Sequence, residues 1–318
     1  MGMEFRMVLY ATGADWARTA AEAAFTRVEQ LNLRLSDYEE ESELNRLNRM
    51  AGSGHWVPVS IDLWRVMTAA QEMAIRTGGA FDVTVGPVVQ LWRRARRQRE
   101  LPPLERLTQA SRAVGYTAVE LDANRRAIRL QRPGMRLDLG GIAKGYILDE
   151  VRAVLRREGV SRALLQAGGD LAVGEAPPHR PWWRIELAQM VTTHTNAEES
   201  VKLRHAALAT SGDLFQYLEI EGIRYSHIVD PRSGQALTNH GLVFVIAPRA
   251  MTADAWSTAL SVLGPKEGMP LLERSAQKVA ARIFSLGREG LEVWESRKWR
   301  GYVLGTGRGP GFPSKPRT

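Results

Sequence analysis

The chain has no cysteine, which excludes disulfides, thiolate metal sites, thiol nucleophiles and lipid-modified cysteine. No apolar run approaches the roughly 18 to 20 residues of a membrane-spanning helix. Residues 1–11 carry Glu4 and Arg6 where a signal peptide would have its apolar centre. Lysine is scarce, at positions 144, 202, 266, 278, 298 and 315, so arginine supplies nearly all of the 43 basic side chains. The net charge of +8 is spread thinly, except in the run Trp92-Arg-Arg-Ala-Arg-Arg-Gln-Arg99. That run reads as a solvated helix face, and no zinc-finger spacing or RNA-binding aromatic motif accompanies it, so no nucleic-acid partner is expected. What is present is an ordinary globular composition, 44% hydrophobic and 25% charged over 318 residues.

Periodicity organises the chain into short strands with helices at irregular intervals. Ala17, Ala21, Ala24, Val28, Leu31 and Leu35 recur at helical spacing, as do Leu63, Val66, Met67, Ala70 and Ala74 ahead of Gly78-Gly79. Strands are predicted at 3–10, 55–59, 119–122, 127–131, 135–139, 162–166, 183–187, 217–221, 224–230 and 242–247, with an extended piece at 80–87 broken by Gly86-Pro87. Helices are predicted from Ala143 through Leu155 and over 253–263, the latter closed by Gly264-Pro265. The pattern predicts an α+β fold with largely antiparallel sheets, flanking helices and two lobes, and excludes a regular βαβ series. A basic Gly/Pro tail at 301–318 is expected to be disordered.

Three segments have residue types suited to chemistry. In Leu137-Asp-Leu-Gly-Gly-Ile-Ala-Lys-Gly-Tyr146 a strand feeds a glycine pair and a helix start, which aims backbone N–H groups at whatever lies in front. Lys144 in that first turn favours an anion, though a tight turn with a surface lysine has the same sequence. Asp254 and Thr258 stand four apart in a helix, so their hard oxygens share one face and suit Mg²⁺; an Asp there also serves as an ordinary helix-dipole partner. His227 sits in Tyr225-Ser-His-Ile-Val-Asp-Pro-Arg-Ser-Gly234, as a general base, a phosphate contact or a structural histidine. With the small-residue turns 167–170 and 207–213, these point to a phosphorylated ligand and a divalent metal.

Together the segments resemble the ApbE family, the Mg²⁺-dependent FAD:protein FMN transferases. The matching pieces, in family order, are Met1-Gly2-Met3, Ser36-Asp-Tyr38 with Ser42-Glu-Leu-Asn45, Gly79-Ala-Phe-Asp-Val-Thr-Val-Gly-Pro87, Leu137 to Tyr146, Gly168-Gly-Asp170, Ala209-Thr-Ser-Gly-Asp213, Ser226 to Gly234 and Ala253-Asp-Ala-Trp-Ser-Thr-Ala-Leu260. The resemblance implies an α+β protein that binds FAD between two lobes, cleaves its pyrophosphate, attaches FMN to a Thr or Ser hydroxyl of another protein and releases AMP. It implies Mg²⁺ held by Asp254, Thr258 and the main-chain carbonyl of Ala143. Tyr38, Ala80, Phe81, Asp82, Asp138, Lys144, Gly168, Gly169, Ser211 and His227 match positions expected to line the FAD site. His227 is the first choice for the base that takes the acceptor's proton, and Asp138 the second.

The partner the resemblance implies is a protein with an Asp-x-x-Thr/Ser-Gly-Ala-Thr/Ser segment. Alternatives are FAD hydrolysis to FMN and AMP, and FAD binding without catalysis. Two positions depart from the family's usual pattern: Met3 replaces a threonine, and Gly141 an alanine. Many members are exported lipoproteins. This chain as written has neither an export segment nor a cysteine, so the cytoplasm is its expected location, or the periplasm if a leader is missing.

Overall fold

The computed structural model describes residues 4–187, 200–212, 217–239, 241–287 and 290–304. The chain opens with strand β1 (Phe5–Tyr10), followed by helices α1 (Ala14–Leu35) and α2 (Glu43–Arg49), strand β2 (Val57–Pro58) and helices α3 (Ile61–Arg76), α4 (Gly86–Gln98) and α5 (Leu104–Ser111). Strands β3 (Val119–Asp122) and β4 (Ala127–Leu130) form a hairpin before helix α6 (Ala143–Arg157). Then come β5 (Arg162–Ala167), β6 (Asp170–Val173), β7 (Trp183–Glu186), β8 (Ser200–Leu203), β9 (Ala206–Gly212), β10 (Tyr217–Ile220), β11 (Ile223–Ser226), β12 (Val229–Asp230), β13 (Gln235–Ala236) and β14 (Gly241–Ala247). Helix α7 (Ala250–Arg274), β15 (Ala280–Gly287), β16 (Gly290–Glu295) and β17 (Val303–Leu304) complete it.

The main sheet runs β1-β5-β6-β9-β14-β15-β16, with every neighbour antiparallel. Period-two alternation gives its two faces different jobs. One face presents small residues, Ala167, Ala172, Ala207, Ala209 and Ala281, to a core shared with α1, α3, α6 and α7. Small side chains there let α6 and α7 lie close. The other face presents larger ones, Leu164, Leu208, Phe244, Ile246 and Phe284, which pack with Trp183, Val201, Leu203 and Trp299 from the small sheet β17-β8-β7 and its surroundings. The result is an α+β fold with antiparallel sheets and flanking helices, as the sequence pattern predicts. Among the described residues no helix is long and apolar enough to cross a membrane.

Several local expectations are corrected. Residues 135–139 form no strand beyond a bridge at Arg136; Leu137 N–H donates to Asn48 Oδ1 at 2.8 Å and Asp138 N–H to Val83 O at 2.7 Å, so a side-chain amide stands in for a partner strand. Residues 80–87 are not extended. Asp82 accepts from Thr84 N, Thr84 Oγ1 and Tyr116 N, closing a turn, and Gly86-Pro87 then starts α4, with Pro in a position where its missing N–H costs nothing. The predicted strand 224–230 breaks after Ser226, because Ser226 Oγ accepts from Ile228 N–H at 3.1 Å and bends the chain there. Strand 55–59 shrinks to Val57–Pro58. Helix α2, capped by Ser42, has no counterpart in the prediction. Gly264 (φ 67°) does interrupt α7, and helix resumes beyond it to Arg274. Residues 305–318, most of the expected tail, lie outside the described residues, as does Asp213.

Candidate active site

The site gathers where the start of α6, the first turns of α7 and the ends of β6 and β9 meet. α6 begins at Ala143 behind Ile142, an N-cap with no side-chain oxygen, so its first-turn N–H groups need outside acceptors. One is supplied by α7: Gly145 N–H donates to Asp254 Oδ2 at 3.0 Å. Glycine at 145 is obligatory for that approach, since a Cβ there would lie 2.2 Å from Ala250 O. Gly141 faces Thr258 in the same way; a Cβ at 141 would stand 2.8 Å from Thr258 Oγ1. The carboxylate and hydroxyl one turn apart on α7 therefore lie against the glycine turn.

Lys144 is not a free surface cation. Its Nζ lies 2.6 Å from Asp170 Oδ2 and 2.9 Å from Asp254 Oδ1. Burial opposes its charge, but the two carboxylates outweigh that and hold its pKa above the usual lysine value. Burial pushes the Asp254 carboxyl up to about 6, with Lys144 pulling it down and Asp170 pushing it up. Asp170 is a residue the sequence reasoning passed over. The signal was available: Gly168-Gly169 form the two-residue turn between β5 and β6, with Gly168 at φ 58°, and such a turn delivers its next residue to a fixed register. Asp170 Oδ1 accepts from Thr210 N–H at 3.0 Å on β9. Ser211, next along β9, pairs its hydroxyl with Ser257 Oγ at 2.8 Å, and Ser257 Oγ donates to Asp254 O.

A second group adjoins the glycine turn. Asp138 Oδ1 accepts from Gly140 N–H at 2.8 Å, and Asp138 Oδ2 lies 2.7 Å from Arg93 Nη2. Arg93 also pairs with Asp37 and stacks its guanidinium 4.7 Å from the Tyr38 ring centroid. Burial raises the Asp138 carboxyl's pKa, against the pull of Arg93. Arg93 belongs to the run expected to be solvated; Arg94, Arg97 and Arg99 are exposed as expected, while Arg93 turns inward. The short helix α2 serves the same region: Asn45 Nδ2 donates to Asp37 O and Glu39 O, and Arg136 Nη2 donates to Asn45 Oδ1.

The remaining expected residues fall as follows. Tyr38 is exposed on the near side of Arg93. Ala80 is buried with Ile228 and Val262, which places the chain beside His227 against α7 one turn beyond Thr258. His227 itself sits half-buried in the bend after Ser226. Phe81 and Asp82 point inward, Phe81 into the main core and Asp82 into its turn. Ala143 is buried at the first position of α6.

The donor chemistry fits a hard divalent cation. Asp254 and Thr258 supply two oxygens on one helix face, and the Gly141 notch keeps a methyl from filling the space before Thr258. A site with so few protein oxygens suits Mg²⁺, which keeps waters and takes phosphate oxygens.

Fold and site thus define an α+β protein whose glycine-lined helix start faces a carboxylate and a hydroxyl, an arrangement suited to binding phosphate with a metal. The sequence model of the ApbE family matches residues 1–283. The chain is 31% identical over 281 residues to the FAD:protein FMN transferase of Klebsiella pneumoniae, covering 85% of this chain and 78% of that protein. It is 33% identical over 255 residues to the protein of the same name from Haemophilus influenzae, covering 78% and 73%. Its structure resembles the flavin transferase ApbE from Vibrio cholerae, with TM-score 0.85, 28% identity and coverage of 95% and 96%, and the apo flavinyl transferase ApbE of Pseudomonas stutzeri, with TM-score 0.80, 27% identity and coverage of 96% and 98%. The chain belongs to the ApbE family.

Proposed function

We propose that this chain is an FAD:protein FMN transferase that uses Mg²⁺ to move the FMN half of FAD to a Thr or Ser hydroxyl of a target protein, releasing AMP. The observation that carries this reading is the meeting of Asp254 and Thr258 with the 141–145 turn. Asp254, Thr258 and the Ala143 carbonyl would hold the ion. When bound, Mg²⁺ neutralises charge on the pyrophosphate, which otherwise repels an oxygen nucleophile.

The rest falls to the chain's own residues. The acceptor oxygen attacks the phosphorus of the FMN half; the bond from that phosphorus to the bridging oxygen breaks, and AMP leaves with the bridging oxygen. A neutral hydroxyl must shed its proton as it attacks, and His227 is the base we assign. Asp138 is the weaker choice because its oxygens are already engaged by Arg93 and Gly140 N–H. Tyr38, Gly168, Gly169 and Ser211 line the FAD crevice in this reading, and Ala80, Phe81 and Asp82 shape it by holding the turn before α4.

The test is to incubate the protein with FAD and a target bearing an Asp-x-x-Thr/Ser-Gly-Ala-Thr/Ser segment, with and without Mg²⁺. Flavin fluorescence should stay on the denatured target band only with the metal. Asp254→Ala should lower that rate by at least about two orders of magnitude while FAD still binds. Free FMN and AMP with an unlabelled target would instead make the chain a hydrolase.

A further inference from the structure

Asp254 is fully buried and Asp170 is 2% exposed. Each commits one oxygen to a backbone N–H, Asp254 Oδ2 to Gly145 and Asp170 Oδ1 to Thr210, both at 3.0 Å. The other two oxygens, Asp254 Oδ1 and Asp170 Oδ2, are bridged by the Lys144 ammonium. Two buried carboxylates side by side are tolerated only with a cation between them. The ammonium is that cation, and it already occupies the oxygen of Asp254 that a divalent ion would need.

We infer that Lys144 is a resident cation that is exchanged at Asp254. Its ammonium holds Asp254 Oδ1 until a divalent ion binds there, then gives up Asp254, stays on Asp170 and presents its charge to the dinucleotide's phosphates. This rests on the proposed reading that Asp254 holds the ion. Three features support it. The ammonium is closer to Asp170 than to Asp254, at 2.6 against 2.9 Å, so Asp170 is the anchor and Asp254 the partner released. Asp170 comes from the main sheet and is fixed by Thr210 N–H, so it stays in place during the exchange. The charge also works out: two carboxylates and one ammonium leave one negative charge, which attracts a divalent ion, and after its arrival one positive charge remains to meet a pyrophosphate. Asp170 is thereby a positioning residue, acting through Lys144.

The experiment measures Mn²⁺ affinity by titration calorimetry and melting temperature with and without Mg²⁺, on the full chain. Lys144→Gln should melt several degrees lower without metal, recover with Mg²⁺, and bind Mn²⁺ about tenfold more tightly than wild type, since no cation must be displaced. Asp170→Asn should bind Mn²⁺ more weakly, because the ammonium then has only Asp254 to pair with. Lys144→Arg provides the control for folding. Its planar fork can pair both carboxylates, so its melting temperature without metal should match wild type while its Mn²⁺ affinity falls. A Lys144→Gln protein that binds Mn²⁺ no more tightly than wild type, with a melting deficit Mg²⁺ does not repair, makes Lys144 a fixed structural ion pair and overturns the exchange. Wild type failing to bind Mn²⁺ at all is a different result and removes the metal reading itself.

Discussion

Arg93 opposes the effect of burial on the Asp138 carboxyl. Its guanidinium pairs with Asp37 and Asp138 and covers the Tyr38 ring, so it ties the 37–38 turn to the segment that leads into Gly140. Burial alone would raise the Asp138 carboxyl further; Arg93 is what pulls it back. Removing Arg93 must therefore move Asp138 upward. With His227 as the base, Arg93→Ala should weaken FAD binding and leave the acidic limb of the pH–rate profile where it is. The profile of kcat/KM for wild type and variant checks this, and an acidic limb displaced to higher pH would transfer the role to Asp138. Arg93→Lys should not restore FAD binding, because an ammonium lacks the planar fork that covers the Tyr38 ring while its two ends reach separate carboxylates.

At the scale of elements, the site depends on how closely α6 and α7 approach. Two glycines govern that distance in different ways. At Gly145 a Cβ would strike backbone, Ala250 O at 2.2 Å and Met251 Cα at 2.6 Å, so the helices must part. Gly145→Ala should cost about 1–3 kcal/mol by urea unfolding and also weaken Mn²⁺ binding, since the bond from Gly145 N–H to Asp254 is lost. At Gly141 the nearest atoms are Oγ1, Cγ2 and Cβ of the Thr258 side chain at 2.8, 3.0 and 3.2 Å, so Gly141→Ala should displace that side chain instead of the helices, costing less in urea unfolding than Gly145→Ala while weakening Mn²⁺ binding.

The elements that carry their own periodicity, α1, α3 and α6, were legible in the sequence, as was the β3-β4 hairpin, because local pattern and tertiary packing agree there. The segment 135–139 was not, since what pairs with it is Asn48 on a seven-residue helix with no apolar period of its own. Arg93 was hidden for a related reason: a run of arginines has no sign of which one turns inward. Among the chemical residues, the Asp254 and Thr258 pair and the glycine turn were readable from spacing. Their common partner Asp170 was marked only by the Gly168-Gly169 turn before it, and that turn fixes its register but not its partners, which the sheet supplies by bringing β6 under α6.

A second weld fixes α6 from its other side. Asp62 on α3 is fully buried, paired with Arg27 and Arg34 of α1, and accepts from Tyr146 Oη of α6 at 2.6 Å. Burial opposes its charge, but these partners together hold its pKa below the usual carboxylate value. A lowered pKa contributes stability that is present above the unfolded value of 3.8 and lost as pH falls through the folded one. Asp62→Asn should therefore cost about 2–3 kcal/mol at pH 7, less than a fully buried pair because Arg34 remains partly exposed, and the deficit should shrink as pH falls below 4. Urea unfolding at the two pH values measures it.

Over the whole molecule, the main sheet separates chemistry from support. Its alanine-lined face carries α6 and α7, with Asp170, Lys144 and Asp254 on that side, while its larger-residue face packs on a second core around Trp299. The separation follows from strand alternation: Asp170 and Ala172, or Ala207 and Ala209, share the helix face, whereas Leu171 and Leu208 between them point to the other. Damage to the second core should then reach stability without reaching the site. Trp299 is the test residue, with no exposed surface and an indole N–H that finds no acceptor among the described residues. Trp299→Ala should cost about 3–5 kcal/mol and lower the melting temperature by about 10 °C. Trp299→Phe should cost less, because the ring's volume largely remains and the unpaired N–H goes. Below their melting temperatures both variants should bind Mn²⁺ and FAD as wild type does. Affinity falling in step with stability would mean that the sheet transmits strain between its faces, and that the position of Asp170 depends on the packing behind it.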